Sequence, residues 1–247
     1  MTKTLIYAHR GANKEAAENT RSAFDASLQY PIDGIETDVQ LSRDGVAVLW
    51  HDRFLGKLGM PLKRIDDFDY ARLQTMNFAA HFSADAKPEG VMLLQAFLDA
   101  YRQRCRLLIE IKNRAWESRS RHETKVRQVL DMVGAAQDDR VLVSSFSLES
   151  LIYAHQCAPE FPLVYNLEPE QKLDDARLVL IEQSFLHGLC LPVESLNEPM
   201  VKLLRDHEKS VAVYTCNSDE EIRKALDLGV DILISDIPQK ALGMRDQ

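Results

Sequence analysis

Short apolar runs alternate with helical patterns along almost the whole chain, and no other feature of the sequence limits the fold as much. Runs at 4–8, 34–41, 106–112, 141–144, 163–167, 188–191, 211–215 and 230–235 have the length and composition of buried strands. Helical signals lie between them. Leu94, Phe97, Leu98 and Tyr101 recur at three- and four-residue spacing within 93–104. Asn19 or Thr20 caps a helix running to about residue 30, and Ser147 caps another. A charged helix is predicted over 120–136, and further helices over 174–186 and 197–207. Ser218 with Glu221 forms a capping box for a helix to 228, which Gly229 stops, and a short closing helix fits 237–244. Eight such units in about 250 residues predict an α/β fold, a (β/α)8 TIM barrel. An open doubly wound sheet shares the alternation. The barrel is favoured because no G-x-G-x-x-G follows the first strand and because polar residues cluster at several strand ends. A single domain over 1–247 is expected. After its second strand lies a small insertion, 53–90, irregular and marked by Gly56, Gly59, Pro61 and Pro88.

The second strand is unusual. Glu36 and Asp38 are two residues apart, so in a strand both carboxylates point to one face while Ile35, Thr37 and Val39 point to the other. Asp44-Gly45 then turns the chain into a hairpin that returns to His51-Asp52. Two like charges on a buried face repel, and burial raises the cost. A hard divalent cation would relieve both. The alternative is that one carboxylate sits at a solvated strand end.

Composition narrows the class. The chain is 45% hydrophobic and 28% charged, enough for a large core, and its net charge of −8 argues against general nucleic-acid binding. Cys105, Cys157, Cys190 and Cys216 are widely spaced with no C-x-x-C pair, which fits buried thiols in a reducing compartment rather than disulfides or a zinc site. The first ten residues have no signal-peptide core and no apolar run is long enough to span a bilayer. A cytoplasmic protein without stable membrane association is expected.

Polar residues gather at the C-terminal ends of the strands. His9-Arg10-Gly11 ends the first, Glu36 and Asp38 lie on the second, and His51-Asp52 ends its hairpin. Glu110 and Lys112 share one face of the third, Ser144-Ser145-Phe146 ends the fourth, and Tyr214-Thr215 the seventh, with Asn217 beyond. In a barrel these meet at one mouth, as an active-site inventory. Each has a plainer reading. A lone His is commonly structural, Arg10 fits a surface ion pair, and Lys112 fits a solvated strand end. Glu110 is harder to dismiss, because apolar neighbours oblige it to be paired or ligated. His122, His155, His187 and His207 read as ordinary helix-associated residues, and His81 in the insertion is left open.

Taken together, these motifs resemble the glycerophosphodiester phosphodiesterase family. His9-Arg10-Gly11 followed by Glu18-Asn19-Thr20 is similar to that family's HRG-x5-PENT signature. Glu36-x-Asp38, His51-Asp52, Glu110-Ile111-Lys112, Ser145-Phe146 and Val213-Tyr214-Thr215-x-Asn217 follow in the family's order, and 229–238 resembles its closing GVDGIITDxP. Ala17 stands where the family has Pro, and Val91-Met-Leu-Leu-Gln replaces I-P-T-L-E. Ile232 and Ser235 replace a Gly and a Thr.

The resemblance implies a TIM barrel that hydrolyses a small-molecule glycerophosphodiester to sn-glycerol 3-phosphate and an alcohol. It implies one divalent metal ion, Mg2+ or Ca2+, on Glu36, Asp38 and Glu110. His9 and His51 become the acid–base pair, with His51 favoured as the acid because His9 adjoins Arg10. Arg10, Lys112 and Tyr214 become substrate contacts, and Asn19 and Asp52 support the site from behind. Two other functions fit the same sequence. One is a phospholipase D-like enzyme acting on lysophospholipids or sphingolipids, with the apolar residues of 53–90 facing a membrane. The other is a decayed phosphoester-binding protein, against which every candidate position holds a chemically competent residue.

Overall fold

The computed structural model describes residues 3–83, 85–134 and 140–247. Eight parallel strands close on themselves: β1 (Leu5–His9), β2 (Gly34–Leu41), β4 (Arg106–Ile111), β5 (Val141–Ser145), β6 (Leu163–Asn166), β7 (Gly188–Pro192), β8 (Ser210–Tyr214) and β9 (Ile232–Ser235). β1 pairs with both β2 and β9, which shuts the cylinder and rules out the open sheet. The ninth strand, β3 (Ala47–Leu49), lies antiparallel on the upper half of β2, with Val39 opposite Leu49 and Leu41 opposite Ala47.

Helices α1 (Arg21–Ser27), α3 (Leu94–Tyr101), α4 (Arg119–Val133), α5 (Leu148–Cys157), α6 (Leu173–Glu182), α7 (Glu198–Asp206), α8 (Asp219–Asp227) and α9 (Pro238–Arg245) alternate with the strands; α2 (Tyr70–Leu73) lies in the segment after β3. α4 begins at Arg119, and its predicted end at Ala136 lies outside the described residues. The expected caps are in place. Ser147 accepts from the Ser150 amide, and Ser218 and Glu221 exchange bonds in a capping box. At α1 the cap is Thr20.

Side-chain alternation sorts the core into two layers. Outward-facing Ile35, Val39, Leu107, Ile109 and Val143 pack under the helices, where Phe24 meets Phe97 at 4.7 Å between ring centroids. Inward-facing Tyr7, Leu108, Leu142, Val164, Cys190, Ala212, Ile232 and Ile234 fill the barrel as an apolar plug. Gly34 makes room for this plug, because a Cβ there would sit 2.5 Å from the Tyr7 ring. The segment after β3 has its own small core around Trp50, Leu55, Ile65, Leu73 and Phe78, with Trp50 and Phe78 edge-to-face at 5.3 Å. Among the described residues no helix is long and apolar enough to cross a membrane.

Candidate active site

Above the plug, the next inward position of most strands is polar. His9 on β1, Glu36 on β2, Glu110 on β4, Ser144 on β5, Asn166 on β6 and Tyr214 on β8 line one cavity, joined by Arg10, His51, Lys112 and Phe146. The period of two that fills the barrel with Tyr7, Leu108, Leu142 and Val164 therefore also aims these polar groups at its mouth.

Glu36, Asp38 and Glu110 each offer a carboxylate oxygen, and these oxygens all lie within 4.8 Å of one another. Asp38 is fully buried. Its Oδ1 lies 2.9 Å from Lys112 Nζ and its Oδ2 3.1 Å from Arg10 Nε, while Asn19 Nδ2 donates to Oδ2 at 2.9 Å. Burial would raise the Asp38 carboxyl, but Lys112 and Arg10 outweigh it and hold it well below the usual range. Glu36 lies on the other side of that balance. Burial and the Asp38 charge push it well above the usual range. Glu110 Oε1 pairs with Lys112 at 2.5 Å. Yet neither it nor Asp38 Oδ1 receives an aligned hydrogen bond among the described residues. Crowded, buried, hard oxygens short of positive charge are a donor set that fits a divalent cation such as Mg2+ or Ca2+.

Glu18, His51 and Asp52 also lie within ligand distance of one another. There Lys57 Nζ already bridges Glu18 at 2.8 Å and Asp52 at 3.1 Å, so an ammonium supplies the charge.

The two imidazoles are held alike. His9 Nδ1 lies 2.6 Å from Asp236 Oδ1, and His51 Nδ1 lies 2.9 Å from Asp52 Oδ1. With the Nδ1 proton assigned to each carboxylate contact, each ring keeps Nε2 for chemistry. Burial and Arg10 lower the His9 pKa against the pull of Asp236. His51 is carried on the hairpin, whose return Gln40 ties by donating to the carbonyls of Trp50 and Asp52 at 2.7 and 3.1 Å. Arg114, just beyond β4, donates to the His51 carbonyl. Asp52 is lowered to about 2, because its bonds from His51 and Lys57 outweigh burial.

Arg10 is a mostly buried member of the cavity wall, its side chain 13% exposed, not a surface ion pair. Its backbone takes a positive φ of 57° as the chain turns off β1. At Gly11, which follows at φ 82°, a Cβ would lie 2.6 Å from the Ala23 backbone of α1. Arg10 therefore leans back over Asp38 and, through Nη1, reaches Glu18 at 3.2 Å. Asn19, expected as a possible helix cap, instead turns at φ 56° and bridges Thr37 to Asp38. Tyr214 lines the cavity, but its hydroxyl proton goes to the Leu167 carbonyl at 2.6 Å, so its ring is the surface it offers. His81 lies against Trp50, outside this constellation.

Three groups escaped the sequence reading as parts of the site. Asp236 follows β9 and meets His9 because β9 closes against β1; it also accepts from Asn13 at 2.6 Å and Asn217 at 2.9 Å. Lys57 and Asn166 are the others. Extending the inward period by one step past Ile234 and Val164 would have marked Asp236 and Asn166.

Comparison with known proteins gives one consistent result. The glycerophosphoryl diester phosphodiesterase family matches residues 9–240. A Bacillus altitudinis glycerophosphodiester phosphodiesterase is 30% identical over 246 residues, covering 99% of each chain. A Bacillus subtilis glycerophosphodiester phosphodiesterase is 28% identical over 250 residues, covering 96% of this chain and 84% of that one. Among solved structures, an Oleispira antarctica phosphodiesterase in complex with the product sn-glycerol-3-phosphate has a TM-score of 0.85 at 24% identity, covering 99% of this chain and 98% of that one. With the profile spanning nearly the whole barrel and its motifs, the chain belongs to the glycerophosphoryl diester phosphodiesterase family.

Proposed function

We propose that this protein is a metal-dependent glycerophosphodiester phosphodiesterase that converts a glycerophosphodiester and water to sn-glycerol 3-phosphate and an alcohol. The observation that carries this reading is the meeting of three buried carboxylates with two carboxylate-oriented imidazoles, Arg10 and Lys112 at one cavity. Family membership and the relatives' names support the same substrate class.

Glu36, Asp38 and Glu110 would hold one Mg2+ or Ca2+. Bound there, the ion supplies positive charge to the phosphodiester oxygens. Arg10 and Lys112 add fixed cations at the same wall, where charge builds as the phosphorus becomes five-coordinate. His9, whose pKa burial and Arg10 lower, suits the role of base through Nε2. His51, backed by Asp52, suits the role of acid that protonates the departing alkoxide. Asn19 holds Asp38 in place, and the Tyr214 ring packs beside the substrate. The segment 53–90 is read as an insertion within one catalytic domain. The partner is a small molecule, and a cytoplasmic site is the reading consistent with four separate thiols.

The test is turnover of glycerophosphocholine, -ethanolamine, -glycerol and -inositol with added Mg2+ or Ca2+, and in excess EDTA. Release of sn-glycerol 3-phosphate from at least one, abolished by EDTA, is expected. No turnover of any would leave a phosphoester-binding protein as the better description. Full activity in EDTA would remove the metal.

A further inference from the structure

A fully buried ammonium lies behind the cavity wall, and the proposed chemistry gives it no task. Lys125, on α4, is 0% exposed. Its Nζ donates to the Lys112 carbonyl and to the two carboxylate oxygens of Glu117, at 3.0 and 2.8 Å. The Glu117 side chain is itself only 4% exposed. Other groups converge on that carboxylate. The Arg114 amide donates to it at 3.0 Å and Arg121 Nε at 3.3 Å, and His122 Nε2 lies 3.3 Å away. Burial lowers the Lys125 pKa to about 8 against the pull of Glu117, so this carboxylate is what favours its charge. A buried ionic hub adds little net stability compared with apolar packing, so what it holds is the better clue to its role.

The bonds lead from this hub to the catalytic face. The Arg114 backbone is clamped at both ends, its amide by Glu117 and its carbonyl by His122 at 3.1 Å. Its Nη2 then donates to the His51 carbonyl. The other bond to that carbonyl, from Gln40, is a long 3.4 Å. In the sheet β2 lies between β4 and β3, so no ladder joins β4 to the hairpin among the described residues. Arg114 therefore connects two segments that β2 keeps apart, one carrying Glu110 and Lys112 and the other His51. Lys112 does not depend on the hub in the same way. Its amide donates to the Val39 carbonyl at 3.1 Å, and its ammonium is held by Asp38 and Glu110.

Resting on the glycerophosphodiester reading above, with His51 as its acid, we propose that Glu117 is a positioning residue that acts through Arg114 to hold His51 at a fixed place relative to Glu110 and Lys112. Glu117 itself lies outside the cavity lining. Without its charge, Lys125, Arg121 and the Arg114 amide lose their common acceptor, and the loop that aims Arg114 at His51 loosens. A proton donor works only within hydrogen-bond reach of the departing oxygen, so a small displacement of the ring costs rate. The carboxylates that would hold the metal, and Arg10, keep their own contacts.

The experiment compares wild type with Glu117→Gln, Glu117→Asp, Arg114→Ala and the double variant of Glu117→Gln with Arg114→Ala, with metal present. Two substrates differ only in their leaving group: glycerophosphocholine and the p-nitrophenyl diester of glycerol 3-phosphate. Glu117→Gln should lower kcat on glycerophosphocholine about tenfold or more, with KM within about twofold of wild type. Its loss on the nitrophenyl diester, which needs no acid, should be smaller by about fivefold or more. Arg114→Ala should show the same pattern, and the double variant should be no worse than Arg114→Ala alone, as expected of residues acting along one path. Glu117→Asp, which keeps the charge, should recover part of the deficit. The metal concentration for half-maximal activity should stay that of wild type. Equal losses on both diesters, additive losses in the double variant, or wild-type kinetics of Glu117→Gln would make Glu117 a structural residue and overturn the proposal. Should Glu117→Gln not fold, Arg114→Ala and Glu117→Asp carry the same comparison. Wild-type enzyme that cleaves neither diester would instead sink the underlying substrate reading, a distinct outcome.

Discussion

His9 and Asp236 are 227 residues apart in the chain, and their side chains meet at 2.6 Å across the seam where β9 closes on β1. The contact fixes which ring nitrogen carries the proton and so which one faces the cavity. Asp236→Asn should lower kcat/KM by about 10- to 100-fold, part of the ~10²–10⁴ that acid–base catalysis supplies. It should also move the pH profile in a defined direction. Asp236 favours protonated His9, opposing burial and Arg10. Without it the His9 pKa falls, and the rising acidic limb shifts to lower pH if His9 is the base. A limb that stays put would remove His9 from that role.

Metal dependence is tested at Glu36. In its surroundings, burial and the Asp38 charge push the carboxyl well above its usual range. A divalent ion would reverse that by supplying the opposite charge. Glu36→Gln should therefore raise the metal concentration for half-maximal activity by at least ~10-fold. A metal titration indistinguishable from wild type would exclude Glu36 as a ligand.

At Arg10 the prediction concerns shape rather than charge. Its guanidinium spans Asp38 and Glu18 with separate nitrogens. A planar fork can add phosphate oxygens where a point charge cannot. Arg10→Lys should lose nearly as much kcat/KM as Arg10→Ala, and Lys112→Ala should be impaired as well. If Arg10→Ala stays within about twofold of wild type, Arg10 does no more than hold Asp38.

Leaving-group dependence separates the two imidazoles. A choline or glycerol alkoxide needs a proton as it departs, and nitrophenolate does not. Both His9→Ala and His51→Ala should lose ~10²–10⁴ on glycerophosphocholine. Only the variant missing the acid, expected to be His51→Ala, should be largely rescued on a p-nitrophenyl ester. Rescue of neither would sink the two-histidine scheme in favour of direct attack with no protein acid.

Beneath the site, Gly34 and Tyr7 form a matched pair. A Cβ on Gly34 would meet the Tyr7 ring at 2.5 Å, and both are inward-facing neighbours in register. Gly34→Ala should cost about 1–3 kcal/mol in urea denaturation. Adding Tyr7→Leu should recover part of that, a coupling expected only of residues in contact. Additive losses would place the strain elsewhere.

What could be read from the chain follows from how local each signal is. Glu36 with Asp38, and Glu110 with Lys112, announce themselves because two residues fix a common face. Ser218 with Glu221 does the same for a helix start. Asn19 was ambiguous, since Asn suits a cap or a left-handed turn, and only the seating of Asp38 beside it decides. Asp236 and Asn166 were not legible as site residues. One depends on closure between the first and last strands, and the other is a single amide at the end of an apolar run. Tyr214 was legible as a cavity residue, but not the capture of its hydroxyl by Leu167, which depends on where the end of β8 meets the segment leaving β6.

The apolar plug formed by Tyr7, Leu108, Leu142, Val164 and their neighbours makes the reaction chamber a cul-de-sac. Whatever enters must leave by the mouth it came in through. On the proposed reaction, sn-glycerol 3-phosphate still held in the chamber would bar the next diester, and its inhibition should be competitive with the diester.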